Sequence, residues 1–352
     1  GLEAQLADLA KAEKFIFMEY HAIEDAQAWS RIQQVLEERV RAGVEVRVFY
    51  DDMGSIGFVN KKFAEKLEAV GIRCHVFNPM MNVFLNNRDH RKITVVDGKI
   101  GYTGGYNLAN EYFNITHPYG QWKDTGVRME GDAVRSLTAA FLEMWNASIR
   151  TENDEDTVLG AYFPTYAAEG NGFIQPYADS PLDDEHVGEE VYISMANKAE
   201  HYCWFITPYL IITDELSHAL SLAAKRGVDV RIITPGIPDK KMVYSVTRSF
   251  YHQLVSSGVH IFEWAPGFCH AKMSIADDRM ATCGTINLDY RSLYHHFENG
   301  CFMVDCPAVM DIKHDFRHTF SQCRDVTEKY KTGLGAHLRL GQLILRLFAQ
   351  LL

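Results

Sequence analysis

His90-Arg-Lys92-Ile-Thr-Val-Val-Asp97-Gly98 and His270-Ala-Lys272-Met-Ser-Ile-Ala-Asp277-Asp278 are two copies of one polar pattern, 180 residues apart. Each runs on to an asparagine at the same offset, Asn107 and Asn287, 17 positions past its histidine. A lone His-x-Lys reads as a surface turn, but a second copy in register is hard to obtain by accident. Each copy supplies an imidazole that serves as nucleophile or acid near pH 7, an ammonium and an amide. A phosphodiester needs those groups. Its anionic oxygens must be neutralised, a nucleophile must reach phosphorus in line, and the departing alkoxide must receive a proton. The pattern predicts a phosphoryl-transfer site assembled from two halves of the chain.

The repeat extends outward from the motifs. Phe15–Tyr20 is an apolar run suited to a buried strand, and Trp204–Tyr209 mirrors it. A helical stretch follows each, Ala26–Ala42 and Glu215–Lys225, then a glycine stop leading into Gly43–Phe49 or Gly227–Ile233. A second helix-to-strand step closes with Gly71–Phe77 and Gly258–Trp264. The motif itself reads as a hairpin, Lys92–Val96 and Lys99–Thr103, with Asp97-Gly98 as the turn; Lys272–Ala276 and Met280–Cys283 form its counterpart. Strands alternating with helices imply an α/β fold of two lobes, each a mixed sheet covered by helices. The acidic stretch Glu152–Asp156, followed by Ala167–Gly172, reads as the linker, giving lobes at about 1–150 and 172–330.

Within the site, Lys92 and Lys272 supply charge, and Asn107 and Asn287 can donate to the same oxygens. One histidine must be a base while the other is an acid, which requires different neighbours. Asp124 and Glu298 are the candidate acidic partners, each able to fix an imidazole tautomer. Asp97 and Asp277 complete the candidate catalytic set, although their place at hairpin turns favours local backbone hydrogen bonding. Gly105 and Gly284 are candidate substrate-binding positions, where backbone can approach a ligand. A covalent phosphohistidine needs no metal, and the sequence carries no paired-cysteine, HExxH or EF-hand pattern, so no cofactor is expected. His295 and His296, as adjacent strand residues, would point to opposite faces.

The 352 residues carry a formal charge of -11, which argues against a sequence-independent nucleic-acid partner. Seven cysteines without a CxxC pair read as buried free thiols in a reducing compartment. No apolar run reaches the about 18 residues needed to span a bilayer. The segment 331–352 differs from the rest. Arg339, Gln342, Arg346 and Gln350 form one polar stripe on an otherwise apolar helix, a pattern suited to a membrane interface.

The doubled His-x-Lys-x4-Asp pattern resembles the phospholipase D superfamily from Phe15 to about Thr327. Finer features are similar to its bacterial cardiolipin synthase branch: Glu19-Tyr-His21, Tyr50-Asp-Asp-Met-Gly-Ser55, Trp122-Lys-Asp-Thr and Gly284-Thr-Ile-Asn-Leu-Asp-Tyr-Arg-Ser292. The resemblance implies two pseudo-symmetric α/β/α lobes with the active site between them. It implies His90 as nucleophile and His270 as acid/base, with Glu298 orienting His90 and Asp124 orienting His270 from the opposite lobe. It also implies an anionic phospholipid substrate, phosphatidylglycerol, and a membrane-surface partner at the inner leaflet of a bacterial cytoplasmic membrane. N-terminal membrane helices are typical of the branch and are not in this sequence, which implies an anchor either trimmed away ahead of Gly1 or lost. Where the branch commonly reads Asn-Phe-Glu, this chain has His296-Phe-Glu298.

The expected reaction joins two phosphatidylglycerols into cardiolipin and glycerol through a phosphatidyl-histidine. Its rivals are hydrolysis by water, transfer to another alcohol such as serine or ethanolamine, cleavage of nucleic acid, and a non-enzymatic membrane module. Phe84, Leu85, Phe113, Trp264 and Phe268 are the apolar residues expected to open the site toward lipid.

Overall fold

A computed structural model describes residues 1–60, 62–78, 87–148, 159–332 and 346. The first half supplies α1 (Leu2–Leu9), β1 (Phe15–Tyr20), α2 (Gln27–Arg41), β2 (Glu45–Asp51), α3 (Phe63–Ala69), β3 (Arg73–Phe77), β4 (Arg88–Asp89), β5 (Lys92–Val96), β6 (Ile100–Gly104), β7 (Gln121–Lys123), β8 (Gly126–Glu130) and α4 (Ala133–Ser148). The second supplies β9 (Phe173–Asp179), α5 (Val187–Lys198), β10 (Tyr202–Ile206), β11 (Leu210–Ile211), α6 (Asp214–Lys225), β12 (Asp229–Pro235), α7 (Lys241–Ser256), β13 (His260–Trp264) and β14 (Gly267–Cys269). It continues with β15 (Met273–Ala276), β16 (Met280–Gly284), β17 (Leu288–Asp289), α8 (Tyr290–Tyr294), β18 (His296–Val304), α9 (Pro307–Phe320), β19 (Cys323–Asp325) and α10 (Thr327–Lys331).

The first sheet runs β3-β2-β1-β5-β6-β8. The second runs β13-β12-β10-β15-β16-β18 in the same order, with β19 added at one end and β4 and β9 both paired to β18. β1 and β10 are parallel to one neighbour and antiparallel to the other, so both sheets are mixed. Every residue of β1 is buried, as expected for a central strand covered on both faces. Glycine ends the helices that feed the next strands, at Gly43 with φ 88° and Gly227 with φ 96°. Thr213 caps α6 by accepting from the Leu216 amide at 3.1 Å. One expected strand is shifted: β10 stops at Ile206 rather than reaching Tyr209, because Pro208 has no N–H for the ladder.

Three apolar cores hold the layers together. One packs α1, α2 and α3 on the outer face of the first sheet, through residues such as Trp29, Ile32, Leu36 and Phe63. Another packs α5, α6 and α7 on the second sheet. Between the sheets lies a shared core in which Phe141 and Trp145 of α4 and Phe316 of α9 meet Phe17, Ile93, Ile275 and Met303. The two halves thus bury apolar surface against each other, which fixes the cleft between them.

The hairpin turns hold Asp97, Gly98, Asp277 and Asp278 at positive φ, the backbone of a tight two-residue hairpin. Six of the seven cysteines are buried and all are free. The linker stretch 152–156 and the stripe of 331–352 lie outside the described residues, apart from Arg346. Its guanidinium sits 4.3 Å from the Phe250 ring centroid and donates to Gln253 Oε1 at 2.6 Å, against α7. Among the described residues, no helix is long and apolar enough to cross a membrane.

Candidate active site

Two short strand pairs carry the site, and both join one half of the chain to the other. β4 pairs in parallel with the start of β18, Arg88 opposite His296 and Asp89 opposite Phe297. The next residue on each strand is His90 and Glu298. The His90 amide donates to the Phe297 carbonyl at 2.9 Å, and His90 Nδ1 lies 2.8 and 2.9 Å from the two Glu298 oxygens. β14 pairs in parallel with β7, Cys269 opposite Lys123. Here the next residues are His270 and Asp124. The His270 amide donates to the Lys123 carbonyl at 2.7 Å, and Nδ1 lies 2.8 Å from Asp124 Oδ2. One register rule, applied twice, sets each histidine against the other half's carboxylate.

Both imidazoles line one cleft of about 540 Å³, together with Asn107, Asn287, Tyr112 and Tyr209. With Nδ1 committed to a carboxylate, His90 keeps Nε2 for chemistry, whereas Lys272 Nζ stands 2.8 Å from Nδ1 of His270 as well as near its Nε2. Lys92 Nζ donates to the His90 carbonyl at 2.5 Å, and Lys272 Nζ stands 2.9 Å from His270 Nε2. Asn107 Oδ1 accepts from the Ala22 amide at 3.1 Å while its amide nitrogen donates to the Tyr112 hydroxyl at 2.8 Å. Asn287 Oδ1 is buried and without a hydrogen-bond partner among the described residues.

Burial and mutual repulsion push the cations toward neutrality. Lys92 is lowered to about 7, by burial first and by Lys272 in part, against the pull of Glu298. Lys272 is lowered to about 8 by burial, against Asp124 and Glu298. Burial and Lys272 bring His270 down to about 4, and burial and Lys92 hold His90 well below its ordinary value. The two carboxylates diverge. Burial pushes Glu298 well above the usual range despite Lys92 and the hydroxyls of Ser292 and Thr285. Burial also works to raise Asp124, but His270 and Lys272 together outweigh it and hold the group low, hence ionised. Such a cleft calls for an anion: a bound phosphodiester would restore the protons that burial has weakened.

His90, His296 and Glu298 offer ligand atoms within 4.8 Å of one another, a spacing compatible with a metal ion. Lys92, Lys272, Arg88 and Arg291 all bear electrostatically on these imidazoles, so the local field favours an anion there.

Four sequence expectations change. Asp97 and Asp277, counted with the catalytic set, take no place in the cleft. Asp97 accepts the amides of Glu13, Lys14 and Phe15 at 2.7 to 2.9 Å, and Asp277 those of Glu200, His201 and Tyr202 over the same range. Each ties its hairpin to the start of the neighbouring central strand. Gly105 and Gly284, expected to face the ligand, serve packing instead. A Cβ at Gly105 would stand 2.2 Å from Asp124 Oδ1, and one at Gly284 would stand 2.6 Å from the Asn299 carbonyl oxygen. Trp264 and Phe268 are core residues rather than an opening toward lipid, being 3% and 1% exposed. Phe113 packs against the core of the first half, and Phe84 and Leu85 lie outside the described residues. Finally, His295 ends α8 whereas His296 starts β18 and lines the cleft.

Several residues of the site carry no motif signal. Ser292 and Thr285 both donate to Glu298, and His21 places its ring centroid 4.8 Å from that of His90. All three fall within the finer stretches that resemble the cardiolipin synthase branch, the one signal that marked them.

A protein-family model described as "Cardiolipin synthase, PLD-like domain" matches residues 6–145 and 192–321, one motif copy in each segment. The chain belongs to the phospholipase D superfamily. Within that superfamily it stands close to the cardiolipin synthases. It is 35% identical to a cardiolipin synthase of Oceanobacillus iheyensis over 99% of this chain and 73% of the relative. A cardiolipin synthase of Geobacillus kaustophilus is 33% identical over 98% and 69%. An uncharacterized protein of Streptococcus mutans serotype c is 46% identical over 99% and 76%. Among solved structures, a phosphatidylserine synthase of Haemophilus influenzae has the same fold, with TM-score 0.74 at 15% identity, covering 99% of this chain and 90% of that one.

Proposed function

We propose that this phospholipase D superfamily member is a phosphatidyltransferase that converts two phosphatidylglycerols into cardiolipin and glycerol. The observation that carries the reading is the pair of imidazoles in one cleft, each braced by the opposite half's carboxylate. His90 Nε2 attacks the phosphorus of the first lipid. His270, protonated once the substrate anion is bound, gives its proton to the departing glycerol oxygen, and a phosphatidyl-histidine remains. The hydroxyl of a second phosphatidylglycerol then loses its proton to His270 and attacks phosphorus, releasing His90. One phosphodiester replaces another, so no energy source enters. The ionised Asp124 beside His270 favours that ring as the proton carrier, and supports His90 as the nucleophile.

Lys92, Lys272, Asn107 and Asn287 hold the phosphate oxygens in this reading. Lipid access is supported by apolar side chains at the mouth. Met53 and Val243 line the cleft, and Ile56 and Met242 beside them are 68% and 52% exposed. These residues follow β2 and β12, equivalent strands of the two sheets. In this reading they face the membrane surface.

The test is product analysis with phosphatidylglycerol vesicles. Cardiolipin and free glycerol in equal amounts are expected. Phosphatidic acid as the lipid product would instead make the chain a hydrolase, and transfer only to added serine or ethanolamine would change the acceptor.

A further inference from the structure

The motif residues account for one phosphate, yet the proposed reaction brings two anionic lipids into one cleft. His296 is the unexplained group there. Its side chain is 9% exposed and lines the cleft, and neither ring nitrogen has a hydrogen-bond partner among the described residues. Nδ1 stands 3.5 Å from Glu298 Oε1 without bonding geometry, and the ring centroid is 5.3 Å from that of His90. A buried imidazole with two unsatisfied nitrogens is costly unless a ligand or water in the cleft supplies the partner.

The surroundings say what the ligand is. Arg88 is the cross-strand neighbour of His296 in the β4–β18 pair and lines the cleft with Arg291 and Lys240. Asp51 pairs with Arg88. Arg291, Arg88 and Lys92 all oppose a proton on His296, and burial does so most strongly. An arriving anion relieves all of these at once, as it does at the first site.

We propose that His296, with Arg88 and Arg291, forms a second phosphate subsite that holds the phosphodiester of the acceptor lipid beside the phosphatidyl group on His90. The inference rests on the transferase reading above. In cardiolipin the two phosphates are joined by a three-carbon bridge, so a subsite beside the nucleophile has the required reach. The subsite also gives an anionic lipid alcohol an advantage over water and free glycerol, which carry no phosphate to place there.

The experiment divides the phosphatidyl-enzyme between two acceptors. Full-length protein and its His296→Asn and His296→Ala variants receive phosphatidylglycerol vesicles with radiolabelled glycerol. Cardiolipin formation reports the anionic acceptor, and label exchanged into phosphatidylglycerol reports the neutral one. The ratio of cardiolipin to exchange should fall at least about tenfold in both variants, about 1.4 kcal/mol of acceptor binding. A ratio that stays constant, whether both rates fall or neither does, overturns the subsite. If the wild-type protein makes neither product, the transferase reading has failed, and binding decides the subsite alone. Deacylated cardiolipin, with two phosphodiesters, should then bind about tenfold tighter than glycerophosphoglycerol, with one, by the fluorescence of Trp122 in the cleft wall. Equal affinities in the wild type, or a difference that survives His296→Ala, would overturn it there.

Discussion

Replacing Glu298 by glutamine tests the part of the site that the fold works hardest to build. The substitution keeps volume and planarity but removes charge and one acceptor. Glu298 receives three donors, the His90 imidazole and the hydroxyls of Ser292 and Thr285. A glutamine has one acceptor oxygen for them, so its NH2 must face at least one. If it faces His90, the ring shifts its proton to Nε2 and loses the lone pair that attacks phosphorus. The electrostatic loss is of similar weight. Attack makes His90 cationic, a charge that favours the ionised form of Glu298 which burial opposes in the empty cleft; a carboxylate about 4 Å from it contributes about 4 kcal/mol at an effective dielectric of about 20. At about 1.4 kcal/mol per factor of ten, kcat should fall roughly a thousandfold. KM for phosphatidylglycerol should rise as well, because Glu298 also helps Lys92 and Lys272 keep the protons with which they bind phosphate. Turnover in mixed micelles measures both constants, and a thermal melt checks the fold. A loss of less than about tenfold in a protein that melts normally would refute the role assigned to the carboxylate.

Asp277→Ala should act on stability. It strips three largely solvent-accessible backbone amides of their acceptor, costing about 1–2 kcal/mol, and the melting temperature should drop while kcat at low temperature stays within a factor of about two. Burial raises Asp277, but the three amides outweigh it and hold the group below its ordinary value. The stabilisation it gives is therefore complete above about pH 4 and is lost as pH falls further, which acid melts of wild type and variant would compare. Gly105→Ala should displace Asp124, since the new Cβ would stand 2.2 Å from its Oδ1, and lower kcat at least about tenfold with little change in melting temperature. The pH profile of kcat/KM should fall on the alkaline side between about 7 and 8, where Lys92 and Lys272 lose their protons in the empty cleft. The same limb in kcat should lie higher, because bound phosphate holds those protons; coincident limbs would contradict the anion-gated cleft.

The strands and hairpins that could be read from the sequence are those whose signal is local. Asp97-Gly98 between apolar runs forces the β5–β6 turn, and a glycine before Val-Glu-Val or Val-Asp-Val ends α2 and α6 whatever lies beyond. β4, β7 and β14 were not legible, being two or three residues long with no periodicity of their own. They exist because a partner about 150 to 200 residues away in the chain completes their hydrogen bonds. For the same reason Gly105 looked like a ligand contact: its true constraint, Asp124, is adjacent only after folding. The donors to Glu298 and the vacant nitrogens of His296 likewise depend on side-chain placement that spacing cannot encode.

The reciprocal strand pairing sets a condition on inheritance. Since Glu298 serves His90 and Asp124 serves His270, neither half of the gene is self-sufficient, and a change in one is felt by the motif of the other. A chain bearing a single copy could meet the same requirement only by embracing its twin about a two-fold axis. Within one chain the two halves need not match, and Asp124, held low, and Glu298, pushed high, already differ in their hold on a proton.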